Sequence, residues 1–171
     1  VGQFDWVGDH ARHRVARLNT DGSVDADFGT GTGASSSSIA YIWTIALRSD
    51  QRMILGGAFS GYYGMRAGNL VRAMPDGTID PSFDAGTGAL GWIYDVVVLP
   101  NDRIVAAGQF FRFNDQAEHE DLVLLESDGS LVASFAPQFD ESCEIYAMAL
   151  QDDGKLLITG RFAQVNGVAC S

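Results

Sequence analysis

Lysine is almost missing from this chain: Lys155 is the one lysine among 171 residues. Basic side chains number 11 against 22 acidic ones, for a net charge of −11. The few arginines are dispersed, as at Arg12, Arg14 and Arg17, then Arg48 and Arg52, then Arg103. Phosphate backbones are held by clustered cations, so no nucleic-acid partner is expected. There are two cysteines, Cys143 and Cys170. Their spacing fits no metal or redox motif. They read either as separate thiols or as a disulfide made in an oxidising compartment. Long apolar runs are also lacking. The uncharged stretch 29–47 is diluted by Ser, Thr and Gly, whereas a membrane span needs about 20 mostly apolar residues, so no membrane insertion is expected. No basic region followed by an apolar stretch opens the sequence, so no signal peptide is expected within it.

What is present is a folded composition, 46% hydrophobic with only 19% charged, too apolar for a disordered segment. It is also repetitive. The motif G-x-F ends at Phe4, Phe59, Phe110 and Phe162, at intervals of 55, 51 and 52 residues. An Asp-Gly pair recurs at Asp21-Gly22, Asp76-Gly77 and Asp128-Gly129, followed by Phe28, Phe83 and Phe135. The apolar runs "IWTIAL", "YDVVVL" and "IYAMAL" precede the polar turns "RSDQR", "PNDR" and "QDDGK". A second run then leads into each G-x-F, as "MILGGAF", "IVAAGQF" and "LLITGRF". Landmarks that keep order and spacing over three units define an internal repeat of about 52 residues.

Two apolar runs about a polar turn read as a hairpin. The segment "RVARLNTDGSVDADF" adds a third strand, an Asp-Gly turn and a short fourth strand. No 3.6-residue apolar period is present, which excludes a helical solenoid. Four short strands per unit of this length is the period of a propeller blade. The expected fold is therefore all-β: β-propeller-like tandem repeats over 1–171. The units are 4–58, 59–109 and 110–161, with a partial one at 162–171. The repeated Phe is expected to fill space between stacked sheets, with the preceding glycine letting backbones approach.

The stretches "RLNTDGSVDADF", "IALRSDQRMILGGAF" and "MALQDDGKLLITGRFAQVNGVA" resemble the delta-60 repeat, a propeller-like repeat of bacterial proteins. The resemblance covers essentially the whole chain. It implies a module of a large secreted or cell-surface bacterial protein, and such proteins are mostly of unassigned role. The third unit departs from the pattern, with Leu124 where the others have Arg17 and Arg72, and Val132 where they have Asp25 and Asp80. Three units fall short of the four to eight blades of a closed ring. The chain is accordingly expected to belong to a longer array, to pair with a second copy, or to form an open stack.

Chemistry is sparse. Asp21, Asp25 and Asp27 partly match a calcium loop, but its closing Glu is missing, and turn capping is the competing reading. His10, His13 and His119 show no zinc spacing. "ASSSSIA" reads as an inter-strand loop, and no G-x-S-x-G elbow exists. The carboxylate pairs Glu118/Glu120 and Asp140/Glu141 read as solvated loops. "GTGTGA" and "AGTGALG" lack the G-K-[ST] ending of a phosphate loop and read as linkers. Aromatic residues are the richest remainder. Alignment of the units places Val7, Tyr63, Phe113 and Val165 at one core position. It sets Trp43 opposite Asp95 and Tyr146, and Trp92 opposite Ala40 and Cys143. Trp6, Trp43, Tyr62 and Trp92 then stand at unrepeated positions and are the ligand-binding candidates. The expected role is display, adhesion or assembly through a protein or carbohydrate surface, without cofactor or catalysis. A hydrolase or lyase hosted by the propeller is one alternative, and a structural subunit of a fibre or sheath is another.

Overall fold

Each apolar run of the repeat becomes a strand, and each polar turn closes a hairpin. The computed structural model describes residues 1–37, 40–140 and 143–170. Ser38 and Ile39 of "ASSSSIA", Glu141 of the Asp140/Glu141 pair, Ser142 and Ser171 lie outside the described residues. Among the described residues there is no helix. Strand β1 (Trp6–Val7) pairs with β2 (His10–Ala11) in a minimal hairpin. Then come β3 (Ala34–Ser35), β4 (Tyr41–Leu47), β5 (Met53–Ala58), β6 (Gly61–Tyr62), β7 (Met65–Arg66) and β8 (Leu70–Ala73). The long hairpin of β9 (Ala89–Val98) and β10 (Ile104–Phe113) is followed by β11 (Leu122–Leu125). Last are β12 (Glu144–Leu150), β13 (Leu156–Arg161), β14 (Gln164–Val165) and β15 (Val168–Ala169).

Two antiparallel blades are complete. One runs β4-β5-β8 and the other β9-β10-β11, and each gains a short fourth strand through the bridges Ala73↔Ile79 and Leu125↔Leu131. Flanking them are two complementary halves. Residues 15–18 and 24 supply only the outer strands of a blade, marked by the bridge Leu18↔Val24. β12 and β13 supply only the inner hairpin. The blades are therefore out of phase with the sequence units, so that unit 4–58 spans the outer half of one blade and the inner hairpin of the next.

Period-2 alternation gives each blade two apolar faces, and the core is three layers between neighbouring blades. Met53 and Leu55 pack on Val15 and Phe28 of the outer half-blade. Ile54 and Leu70, from the other face, pack on Ile93, Val96 and Ile104. Val105, Leu122 and Leu124 pack on Ile145, Leu156 and Ile158. Phe59 and Phe110 are fully buried in these layers. Asp95 ties three blades together: it accepts from Thr44 Oγ1 at 3.0 Å and from the Met148 backbone N–H at 2.6 Å.

The glycine of G-x-F has a different task from the one its sequence suggests. A Cβ on Gly57 would sit 2.1 Å from the Tyr41 carbonyl oxygen, and one on Gly108 2.0 Å from that of Trp92. The close approach is within the hairpin, at a β-bulge, and not between stacked sheets. The region after G-x-F also differs from a plain variable loop. It folds into small hairpins, β6–β7 and β14–β15, whose turns need two consecutive left-handed residues. Tyr63 (φ 51°) with Gly64 (φ 76°) and Asn166 (φ 51°) with Gly167 (φ 75°) provide them.

Candidate functional site

The bulge at each inner strand fixes the register, and with it the aromatic positions. Ile42 pairs with Gly57 and Thr44 with Gly56, so Trp43 is the extra residue. Tyr94 and Tyr146 are the extra residues in β9 and β12. Trp43, Tyr94 and Tyr146 are therefore equivalent, one residue away from the alignment that set Trp43 against Asp95. Two positions earlier, Tyr41 corresponds to Trp92 and to Glu144. Aromatic side chains thus recur on the inner strands at matched positions.

These rings touch in a continuous run across three blades. Tyr41 stacks on Trp43 with centroids 5.6 Å apart, and Trp43 meets Trp92 edge-on at 6.4 Å. Trp43 reaches Tyr94 at 5.4 Å, and Tyr94 reaches Tyr146 at 6.0 Å. Trp43, Trp92 and Tyr146 are exposed. A polar edge accompanies them. The Tyr94 hydroxyl donates to Gln109 Oε1 at 3.4 Å, Gln109 Nε2 donates to Glu144 Oε1 at 3.2 Å, and the Tyr146 hydroxyl donates to Glu144 Oε2 at 2.9 Å. Arg161 Nη1 lies 3.8 Å from Glu144. Burial and the Glu144 charge raise the pKa of Tyr94, and the hydrogen bond to Glu144 raises that of Tyr146. Both phenols stay protonated and offer donors.

Beside this edge lies an acidic cavity of about 220 Å³, lined in part by Glu120, Asp121, Asp140, Cys143 and Glu144. Burial raises the Asp121 carboxyl to about 6, helped by Glu120 and Glu144 and opposed by the Phe110 N–H it accepts from at 3.0 Å. The Cys143 thiol donates to Asp121 and is pushed up to about 12 by burial and that carboxylate. It is held as a thiol. Asp121 occupies the position of Asn69, which accepts the Phe59 N–H at 2.6 Å. The position is thus a recurring structural clasp.

Of the four aromatic candidates, Trp43 and Trp92 come together in the run. Trp6 is exposed on β1, outside it. Tyr62 is not on a surface at all: it is fully buried in the first core layer, and its hydroxyl donates to the Gly77 carbonyl at 2.7 Å. It is the counterpart of Phe113, also fully buried. A one-residue slip in alignment had exchanged it with Tyr63, and on a strand such a slip reverses the face. Asp21 turns back onto Ser23 N (2.9 Å) and Oγ (2.6 Å), and the same clasp recurs at Asp76/Thr78 and Asp128/Ser130. Asp25 is taken by Arg17 at 2.8 Å. Asp21, Asp25 and Asp27 do not converge, and among the described residues no trio of His, Cys, Asp or Glu has metal-binding geometry. Cys143 is buried and Cys170 exposed, and both are free thiols. His13 meets Asp5 at 3.2 Å, while His119 is buried with neither ring nitrogen hydrogen-bonded. Among the described residues no helix is long and apolar enough to cross a membrane.

Stacked antiparallel blades, joined by a tandem repeat, make this an all-β, propeller-like protein. Residues 1–28, 48–83 and 151–171 are similar to a beta-propeller domain of unknown function, DUF5122. No curated protein matches the chain.

Proposed function

We propose that the chain is a non-catalytic binding module of a bacterial secreted or cell-surface protein, and that its aromatic face takes carbohydrate. The run from Tyr41 to Tyr146, with a polar edge at Gln109 and Glu144, is the observation that carries this reading. Sugar rings present C–H faces that stack on aromatic rings, and hydroxyls that need donors and acceptors beside them. The resemblance to the delta-60 repeat supports the bacterial and surface assignment. Catalysis has weaker support, because the most perturbed carboxyl, Asp121, is engaged by Phe110 N–H and Cys143 as its Asn69 counterpart is by Phe59 N–H. Titration with cellohexaose and maltoheptaose, followed by tryptophan fluorescence, tests the reading. Saturable quenching that drops at least tenfold in affinity in Trp43→Ala and Trp92→Ala is expected. No change in either sugar's presence would sink it.

A further inference from the structure

Arg66 and Arg112 stand apart from every other cation of the chain. Among the described residues, the other eight arginines and Lys155 each hold a hydrogen bond or an ion pair. The side chains of Arg66 and Arg112 hold neither. Acidic residues outnumber basic ones by 22 to 11, yet these two guanidiniums are unclaimed. Both line one cavity of about 230 Å³ between the two complete blades. Arg66 reaches it from β7 of one blade and Arg112 from the end of β10 in the next. Its floor is already satisfied: Asn69 Nδ2 donates to the carbonyls of Ala89 and Gly91, and the Thr87 N–H donates to Asn114 Oδ1 at 3.2 Å. Asp115 is the one carboxylate in the lining, and it forms no ion pair. Two guanidiniums and one carboxylate leave a single positive charge there.

The repeat does not dictate these arginines. Each small hairpin turns on one matched pair, Val7↔His10, Tyr62↔Met65, Phe113↔Gln116 or Val165↔Val168. Before the first member stand Trp6, Gly61, Arg112 and Gln164. After the second stand Ala11, Arg66, Ala117 and Ala169. The hairpin accepts alanine wherever Arg66 is not, and residues of three other kinds in place of Arg112. Side chains peculiar to one interval between blades report on a site and not on the fold.

Strand β9 joins this cavity to the aromatic run. Ala89 pairs with Phe113 and Gly91 with Phe110, so Leu90 is opposed by Phe111 and Arg112 at a bulge. Leu90 lines the cavity, and Trp92, two residues on, lies on the same face of the strand about 7 Å away. Both are exposed. The other flank of Trp92, from Gln109 to Glu144, is acidic.

We propose that this cavity takes the carboxylate of an acidic sugar, a uronate unit of an otherwise neutral glycan, held by Arg66 and Arg112 with the adjoining ring on Trp92. The inference rests on the carbohydrate reading and names the class of sugar. A planar guanidinium meets a carboxylate through two parallel N–H···O bonds. One surplus positive charge suits a single anion. The acidic flank and the net charge of −11 turn away a polymer of repeated carboxylates, and an acidic peptide for the same reason.

NMR titration of the 171-residue chain with cellobiouronate and with cellobiose, which differ at one carboxylate, tests it. Cellobiouronate is expected to bind at least tenfold more tightly and to shift the amides of Gly68, Thr87 and Leu90 together with the Trp92 indole. Arg66→Gln and Arg112→Gln are each expected to lose that advantage. Both should keep the parent's affinity for cellobiose and its thermal midpoint, because neither arginine has a protein partner. Trp92→Ala is expected to weaken both sugars together. Equal binding of the two sugars by the parent overturns this inference and leaves the carbohydrate reading standing, whereas binding of neither overturns both. An advantage that survives the two arginine changes also overturns it, since the carboxylate then lies elsewhere. So do shifts at these amides with tetraglutamate and none with cellobiouronate.

Discussion

Asp121 shows how one side chain can be chosen for shape and tolerated for charge. Its counterpart Asn69 accepts the Phe59 N–H and donates through Nδ2 to the carbonyls of Ala89 and Gly91, at 3.1 and 2.7 Å. A carboxylate keeps the first contact and has no proton for the second, so the Cys143 thiol donates to it instead. Because burial raises its folded pKa to about 6, above the ordinary value near 3.8, the folded state holds a proton that the unfolded state releases. Stability therefore falls as pH rises from about 4 to about 6, and the penalty is fully present above that window. Asp121→Asn keeps the acceptor and removes the charge. It is expected to stabilise the protein at pH 7 by up to about 3 kcal/mol and to flatten the slope between pH 4 and 6. Urea denaturation at pH 4 and pH 7 measures both effects, and an unchanged slope would contradict the assignment.

Strands in matched positions let the protein serve as its own control. Arg72 donates to Asp80 at 2.8 Å in the first complete blade, with both side chains buried. The second holds Leu124 and Val132 at the same places, joined by the same backbone bond: Val132 N donates to Leu124 O and Asp80 N to Arg72 O, each at 2.9 Å. A buried ion pair and an apolar pair thus fit one backbone. Burial alone would raise the Asp80 carboxyl, but Ser82 and Arg72 overcome this and bring it to about 2. Its contribution is present above about pH 4 and is lost as pH falls toward 2. Asp80→Asn leaves Arg72 without its counter-charge and is expected to cost about 3 kcal/mol. The double change Arg72→Leu with Asp80→Val is expected to recover most of that loss. Thermal unfolding of the two variants decides it, and equal losses would be the contrary result.

This is also the scale at which reading the sequence succeeded and failed. Hairpins, Asp-Gly turns and the repeat period were legible because each depends on local chemistry recurring in order. The bulge at Trp43, Tyr94 and Tyr146 was not legible, because an extra residue on one strand leaves no mark in composition. With it went the equivalence of the aromatic positions and the burial of Tyr62. The small hairpin at Asn166-Gly167 was not read from the sequence either, although both residues suit left-handed turn positions.

In the molecule as a whole, the layers are stacked one upon the next, so interior blades are covered on both faces and the half-blades on one. β5 and residues 104–108 of β10 are almost wholly buried, whereas β13 is half-buried to exposed and β14–β15 is mostly exposed. Stability in such stacks is nearest-neighbour in character. Amide hydrogen exchange is expected to be slowest in β5 and β10 and at least a hundredfold faster in β1–β2 and β14–β15. Uniform protection would contradict a layered core. Asp95, bonded to Thr44 and to the Met148 N–H, links the layers through one side chain.

The phase offset between blade and repeat bears on how such a protein changes length over generations. Every blade joins strands from two successive repeats, and each interface is drawn from the same set of positions. A duplication or loss of one repeat length therefore shifts the genetic breakpoint without altering the product: a whole blade enters or leaves, wherever within the repeat the crossover falls. The fold tolerates imprecise recombination because no point along the period is a privileged boundary.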